Sequence, residues 1–286
     1  MKIKELNIEN ELYPKKLRQT KNPPKKLYVL GDEKILNTDS LSIIGSRCCT
    51  PYGAETAQTF AKKLANTGIT IVSGMAKGID SSAHIGAIEA KGKTIAVLGS
   101  GFNHIFPDKK IFEKILSNGG AVITEYSKDV GISPQGFRDR NRIVAGLSIG
   151  ILIIEAKIRS GTGITASYAK EYGRHIFCIP HTMEDRSGIG TNRLLKRGAI
   201  LVTEIQDILQ YFDNVPKIEK QKDTFQIEVP KEYQKVYEQI IKEPLNADEI
   251  SKKTRINISE LNAILTMLEL EGYIESMPGN YYKKKD

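Results

Sequence analysis

Gly150-Ile151-Leu152-Ile153-Ile154 is a run of five residues without one polar side chain. A strand wet on one face alternates apolar with polar residues, whereas a strand covered on both faces reads as a continuous apolar run. Working outward, short β-branched runs recur at 41–44, 70–73, 94–98, 121–124, 175–179 and 199–202. Stretches with helical periodicity lie between most of them. In the first, Ala54, Ala57, Ala61 and Leu64 recur at three- and four-residue steps, with Phe60 and Ala65 on the flanks. Strand–helix–strand repetition predicts right-handed crossovers and a mostly parallel sheet with helices on both faces. The expected fold is α/β, a Rossmann-like doubly wound domain over residues 41–212.

Residues 1–40 are polar and irregular, and Tyr13-Pro14 and Pro23-Pro24 force extended or turning backbone. They read as a packed N-terminal arm. Residues 213–229 are polar and aperiodic, a linker pattern. Residues 230–286 predict a small winged-helix-like domain. It comprises a helix over about 230–242, a short helix capped by Asn246 and ending near Thr254, and a helix from about Ile258 stopped by Gly272. A hairpin follows around Met277-Pro278-Gly279-Asn280.

The chain has 286 residues, 40% hydrophobic and 27% charged, which excludes collagen-like and wholly disordered classes. No run of about 18 apolar residues occurs, so no membrane span is expected. Met1-Lys2-Ile3-Lys4-Glu5 starts positive without an apolar core, which predicts no secretory signal. Three cysteines, Cys48, Cys49 and Cys178, support neither a disulfide framework nor a four-ligand zinc site. They are expected as buried fillers in a cytoplasmic protein. The net charge is +8, and residues 230–286, with nine basic and ten acidic side chains, contribute −1 of it. The surplus of +9 sits in residues 1–229 and favours a polyanionic partner.

Ligands of doubly wound sheets bind beyond the carboxyl ends of the strands, so the loops there carry the functional reading. After the first strand, Gly45 lets backbone N–H groups come close, Ser46 donates, and Arg47 offers a planar fork to phosphate. The alternative is an ordinary tight turn with a solvated arginine. After the second, Gly74 and Gly78 permit tight backbone, Asp80 can cap the next helix, and His84 reads as a packing histidine. After the third, Gly99-Ser100-Gly101-Phe102-Asn103-His104 begins like a dinucleotide fingerprint but has His104 in its sixth position, which rejects a nicotinamide site. No phosphate-binding Gly-x-x-x-x-Gly-Lys-Ser/Thr motif occurs either. Lys109 and Lys110 stand at a helix start, where cations oppose the dipole unless an anion is near. They read equally as a solvated pair. Gly136-Phe137-Arg138-Asp139-Arg140-Asn141-Arg142 sets three arginines beside an aromatic ring. Bases stack on such a ring while guanidinium groups neutralise phosphates. The competing reading makes Phe137 core and pairs the arginines with Glu125, Asp139 or Glu155. Ser160-Gly161-Thr162 opens a later helix as a second anion cradle. No nucleophile–base pair, paired carboxylates or Cys/His metal cluster is legible, so no reaction, metal or cofactor is expected.

Five ordered blocks resemble the DNA-processing protein family DprA, also called Smf. They are Ser42–Arg47 with Tyr52-Gly53, Ser73–Asp80 with Ala83-His84, 94–99, Phe137 with 140–143, and Glu155-Ala156 with 160–166. The resemblance covers about residues 10–210. It implies a protein that binds single-stranded DNA, loads the recombinase RecA, helps displace single-strand binding protein and serves natural transformation, without enzymatic turnover. It further implies Arg47 and Lys109 on DNA phosphate, Phe137 stacked on a base, Arg140-Asn141-Arg142 shaping the groove, and a homodimer built through the Rossmann-like domain. Two departures stand out: Pro180-His181 replaces the family's Pro-Gly, and 40 residues leave no room for an extra N-terminal helical domain. The presumed recognition helix, 258–271, has three glutamates and no Lys or Arg, which predicts that it does not enter a major groove. Two other functions fit such a fold. One is a phosphoribohydrolase-like enzyme, whose Pro-Gly-Gly-x-Gly-Thr loop is here Arg159-Ser160-Gly161-Thr162-Gly163. The other is a nucleotide sensor.

Overall fold

The computed structural model describes residues 2–158, 160–213, 229–241 and 243–284. The chain divides into two compact units, Met1–Ile218 and Glu219–Asp286. The 213–229 linker lies, apart from its two end residues, outside the described residues.

The first unit begins with β1 (Lys4–Asn7), α1 (Lys15–Arg18) and β2 (Lys26–Gly31). An alternating series follows: β3 (Ser40–Ile44), α2 (Pro51–Asn66), β4 (Thr70–Ser73), α3 (Ile79–Glu89), β5 (Thr94–Val97), α4 (Lys109–Ser117) and β6 (Ala121–Thr124). It continues through α5 (Pro134–Leu147), β7 (Gly150–Ile153), α6 (Gly161–Glu171), β8 (His175–Cys178), α7 (Ile189–Leu195), β9 (Ile200–Leu201) and α8 (Gln206–Leu209). All nine strands form one sheet, in the order β1-β2-β6-β5-β4-β3-β7-β8-β9. It is parallel from β6 to β9, and β1 and β2 join antiparallel. This is the Rossmann-like, mostly parallel architecture that the apolar runs predict.

Every residue of β3 through β7 is buried, because helices cover both faces. On one face Ile44, Val72, Ile95, Val97, Ile151 and Ile153 meet Ile143 and Val144 of α5 and Ala166 and Ala169 of α6. On the other, Leu41, Ile43, Ile71, Leu152 and Ile154 meet Ala57, Phe60, Ala61 and Leu64 of α2. Each fully buried Leu, Ile or Val contributes about 1.5–3 kcal/mol. The polar residues inside these strands are answered locally: Ser42 Oγ donates to the Val144 carbonyl at 2.8 Å, and Ser73 Oγ to that of Ile43 at 2.6 Å.

The N-terminal arm requires correction. Residues 1–40 supply two strands of the main sheet, and Tyr13 and Leu17 are fully buried against it. Their sequence hides this because β1 buries only Leu6 among Lys4, Glu5 and Asn7. A strand at the edge of the sheet needs little apolar character.

The second unit contains α9 (Lys231–Ile240), β10 (Leu245–Asn246), α10 (Ala247–Thr254), α11 (Ile258–Leu270), β11 (Ile274–Met277) and β12 (Tyr281–Lys284). Its small antiparallel sheet runs β10-β12-β11, the wing of a winged helix. Asn246 and Glu249 form a capping box at the start of α10. Gly272, at φ +78°, ends the turn after α11. Val236, Ile240, Ile250, Leu261, Leu265, Leu268 and Ile274 form the core. Among the described residues no helix is long and apolar enough to cross a membrane.

Strand order in the large sheet reverses at β3: β4, β5 and β6 lie on one side, β7, β8 and β9 on the other. Crossovers therefore diverge from the carboxyl ends of β3 and β7 and leave a crevice between them.

Candidate functional site

The crevice is a cleft of about 990 Å³. Gly45, Ser46 and Arg47 form one lip, directly after β3. Two close approaches fix that loop. A Cβ on Gly45 would stand 2.6 Å from Ile79 Cγ1, and one on Gly78 would stand 2.4 Å from the Ser46 carbonyl oxygen. Gly78 also adopts φ +76°, which favours glycine. The Ile79 N–H donates to that same carbonyl at 3.2 Å, so α3 holds the loop from below.

Arg47 is exposed and its guanidinium carbon lies 4.9 Å from the centre of the Phe137 ring. Phe137 is half-buried in the first turn of α5. That turn is built by Ser133, whose side chain accepts the Gly136 N–H, and by Pro134 at the helix start. Gly99 and Gly136 let the turn dock on the loop after β5, since a Cβ on Gly136 would fall 2.2 Å from the Gly99 carbonyl oxygen. Phe106 leans on Phe137 with ring centres 6.1 Å apart. The pair, with Arg47 above, makes a partly wet aromatic and cationic platform.

The three arginines of α5 have three different fates. Arg138 is exposed and lines the cleft beside Asn141. Arg140 is 4% exposed and pairs with Asp80 at 3.6 Å. Its guanidinium occupies the space a Cβ on Gly74 would take, 0.9 Å from Nη1. Asp80, rather than capping α3, accepts the N–H groups of Gly74 and Ala76 at 3.2 and 3.3 Å. Burial pushes its carboxyl up, against the pull of Arg140 and those donors. Arg142 turns away from the cleft, pairs with Glu125 and donates to the Asn22 carbonyl at 3.0 Å. It shapes the body rather than the groove.

Opposite Arg47, Ser160, Gly161 and Thr162 open α6 toward the cleft. Ser160 occupies the N-cap position, but its side chain makes no capping bond. Its buried Oγ has no partner among the described residues. The first-turn N–H groups of a helix have no intrahelical acceptor and carry its positive dipole end. This corner can therefore take a phosphate or carboxylate oxygen.

Other expectations are placed differently. Lys109 and Lys110 are exposed at the start of α4, where Asp108 accepts the Lys110 and Ile111 N–H groups, and neither lines the cleft. Cys48 is no buried filler: it is exposed and lines the cleft, because its loop runs outward at the rim, while Cys178 is buried. Among the described residues Glu155 pairs with no arginine. Its buried carboxylate accepts from the Thr50 N–H at 3.1 Å and from the Thr50 hydroxyl, joining the end of β7 to α2. His84 is fully buried with Nδ1 2.7 Å from Thr94 Oγ1, and burial lowers its pKa to about 3. His181 packs where Gly188 has no Cβ, its ring nitrogens 2.9 Å from Asp185 Oδ2 and 2.7 Å from the Ile154 carbonyl. Hydrogen bonds from Ser187 and His181 hold the Asp185 carboxyl at about 2. Lys157, also in the lining, escapes a reading confined to glycine- and arginine-rich loops. Its signal is its place three residues past the apolar run.

Comparison with known proteins follows the same outline. Residues 4–213 match the family DNA recombination-mediator protein A, and residues 221–280 match the DprA winged helix domain. Protein Smf of Escherichia coli is 34% identical over 96% of this chain and 76% of its own length. The crystal structure of DNA processing protein A from Streptococcus pneumoniae superposes with a TM-score of 0.69 at 36% identity, covering 74% of this chain and 75% of that one. DNA processing protein A from Helicobacter pylori, solved for insight into its single-stranded DNA binding mode, gives 0.65 at 36% identity, over 72% and 94%.

Proposed function

The chain belongs to the DNA recombination-mediator protein A (DprA/Smf) family, and on that premise we propose that it binds single-stranded DNA in the β3–β7 cleft without breaking any bond in it. The observation that carries this reading is the platform of Arg47 over Phe137, facing the unpartnered Ser160 hydroxyl across one trough. A base stacks on the ring, Arg47 and Arg138 meet phosphates, and the open end of α6 takes a further phosphate oxygen. Stacking is indifferent to base identity, so binding tolerates any sequence. The titratable groups beneath the rim support binding over turnover. Asp80 is engaged by Arg140 and backbone, Glu155 by Thr50, and His84 by Thr94.

The finer role follows from the family's description as a recombination mediator. The bound strand is presented to the recombinase RecA in the cytoplasm, by a homodimer, during recombination and DNA uptake. Titration calorimetry of the full chain with mononucleotides and with oligothymidylate tests the core of the proposal. Oligonucleotides should bind, with log affinity falling by roughly 0.7 per phosphate contact against log salt. Tight mononucleotide binding, or release of free base, would favour the sensor or the phosphoribohydrolase reading. Unchanged oligonucleotide affinity in both Arg47→Ala and Phe137→Ala would overturn the site.

A further inference from the structure

A second groove, of about 720 Å³, runs between α6 and α7. Lys157, Lys170, Arg174, Arg193 and Arg197 line it, and among the described residues no Asp or Glu does. Among the described residues none of these five forms an ion pair. Arg174 is half-buried. Its Nη2 donates to the Lys16 carbonyl at 2.8 Å, and its buried Nε has no partner among the described residues. Burial alone pushes this guanidinium below its ordinary value. A cluster of cations that no carboxylate answers repels itself, and a polyanion relieves that repulsion.

The groove adjoins the cleft. Lys157 lines both, and α6 separates them, with Thr162 and Thr165 facing the cleft and Ala166 and Lys170 facing the groove. The 11 residues of α6 span about 16 Å. Among the described residues no Phe, Tyr or Trp lines the groove, in contrast to the cleft with Phe137. It can neutralise phosphates, and the imidazole of His175 in its lining already packs on Tyr211 with ring centres 4.5 Å apart, so charge dominates what it offers.

We propose that the groove carries the sugar–phosphate backbone of single-stranded DNA as the strand leaves the cleft over Lys157. This rests on the cleft being the primary DNA site. It divides the work: the cleft grips one or a few nucleotides by stacking, and the groove extends the footprint chiefly by charge.

The test compares short (about six) and long (about twenty) oligothymidylates, bracketing typical single-strand site sizes. The full chain and the exposed-surface double variant Arg193→Ala/Arg197→Ala are titrated by fluorescence anisotropy across a salt series, with mass followed by sedimentation. For the long strand, the double variant should lower the salt slope by about 1.4 and weaken affinity about tenfold at 0.15 M salt. The short strand should bind as before. Equal losses for both lengths, no loss for the long one, or a change of mass that accounts for the loss would overturn the groove. Failure of the cleft reading looks different: the unaltered chain would not bind the short strand, or would bind it equally well with Arg47→Ala and Phe137→Ala.

Discussion

Helices α5 and α11 are charged in opposite senses, and the contrast shows how little a count of charges says about binding. Of the three arginines on α5, Arg140 and Arg142 are paired with Asp80 and Glu125; Arg140 still lines the cleft, but among the described residues only Arg138 of the three reaches it, with Arg47, without a carboxylate partner. On α11, Glu260 accepts from Asn257 and Glu269 from the Ser276 N–H, so both brace the winged helix locally. The basic residues around that helix are partly answered as well, Lys253 by Glu243 and Lys283 by Glu275. A cation with a buried carboxylate beneath it holds the fold together. A cation without one is available to a ligand.

The strongest break of this comparison is Arg140→Ala. It leaves Asp80 as an uncompensated buried charge and should cost about 3–5 kcal/mol. Denaturant titration reads this directly; a loss under 1 kcal/mol would place Arg140 among the binding cations instead.

His84 sharpens the same division through acid. It takes up a proton near 6.5 when unfolded and near 3 in the fold, so protons favour the unfolded chain between those values. Its contribution to stability is complete above about pH 6.5 and is lost as pH falls toward 3. Between pH 7 and pH 5 the loss is about 2 kcal/mol. Unfolding curves of His84→Met should be flatter over that interval; an identical pH profile would show that the imidazole is not held neutral.

Phe137→Ala should weaken single-stranded DNA binding by about 1–3 kcal/mol, the worth of one stacked base. Melting temperature is its control, because a large drop there would make the ring structural. The smallest effect belongs to Glu260→Lys on α11. Stability should move by no more than about 0.5 kcal/mol and oligothymidylate affinity should stay put. A marked gain for duplex DNA would show that this helix lies close to a duplex after all.

The buried strands are legible in the sequence because helices on both faces demand apolar runs, continuous at Gly150–Ile153 and short and β-branched at Thr70–Ser73. β1 and β2 are not: the sheet edge leaves Lys4 and Glu5 of β1 free to be polar, and β2, inside that edge, buries only alternate residues. In the cleft, glycines and an exposed arginine after a strand end announce themselves. Which arginine stays available does not, because it depends on Asp80 and Glu125, which lie 60 and 17 residues from their partners. Lys157 is invisible for a similar reason: only the divergence of crossovers at β3 brings it to the rim.

The antiparallel border of the sheet also bears on how the chain leaves the ribosome. β2 is made early, yet its partner β6 follows about ninety residues later, as Gly31 opposite Ala121 shows. Until then the leading hairpin has no neighbour to complete it, and vectorial synthesis must finish four parallel-strand elements before the border closes. Fusions or truncations that remove β1 and β2 would therefore strip the border itself, leaving β6 with a naked backbone edge open to pairing with another chain.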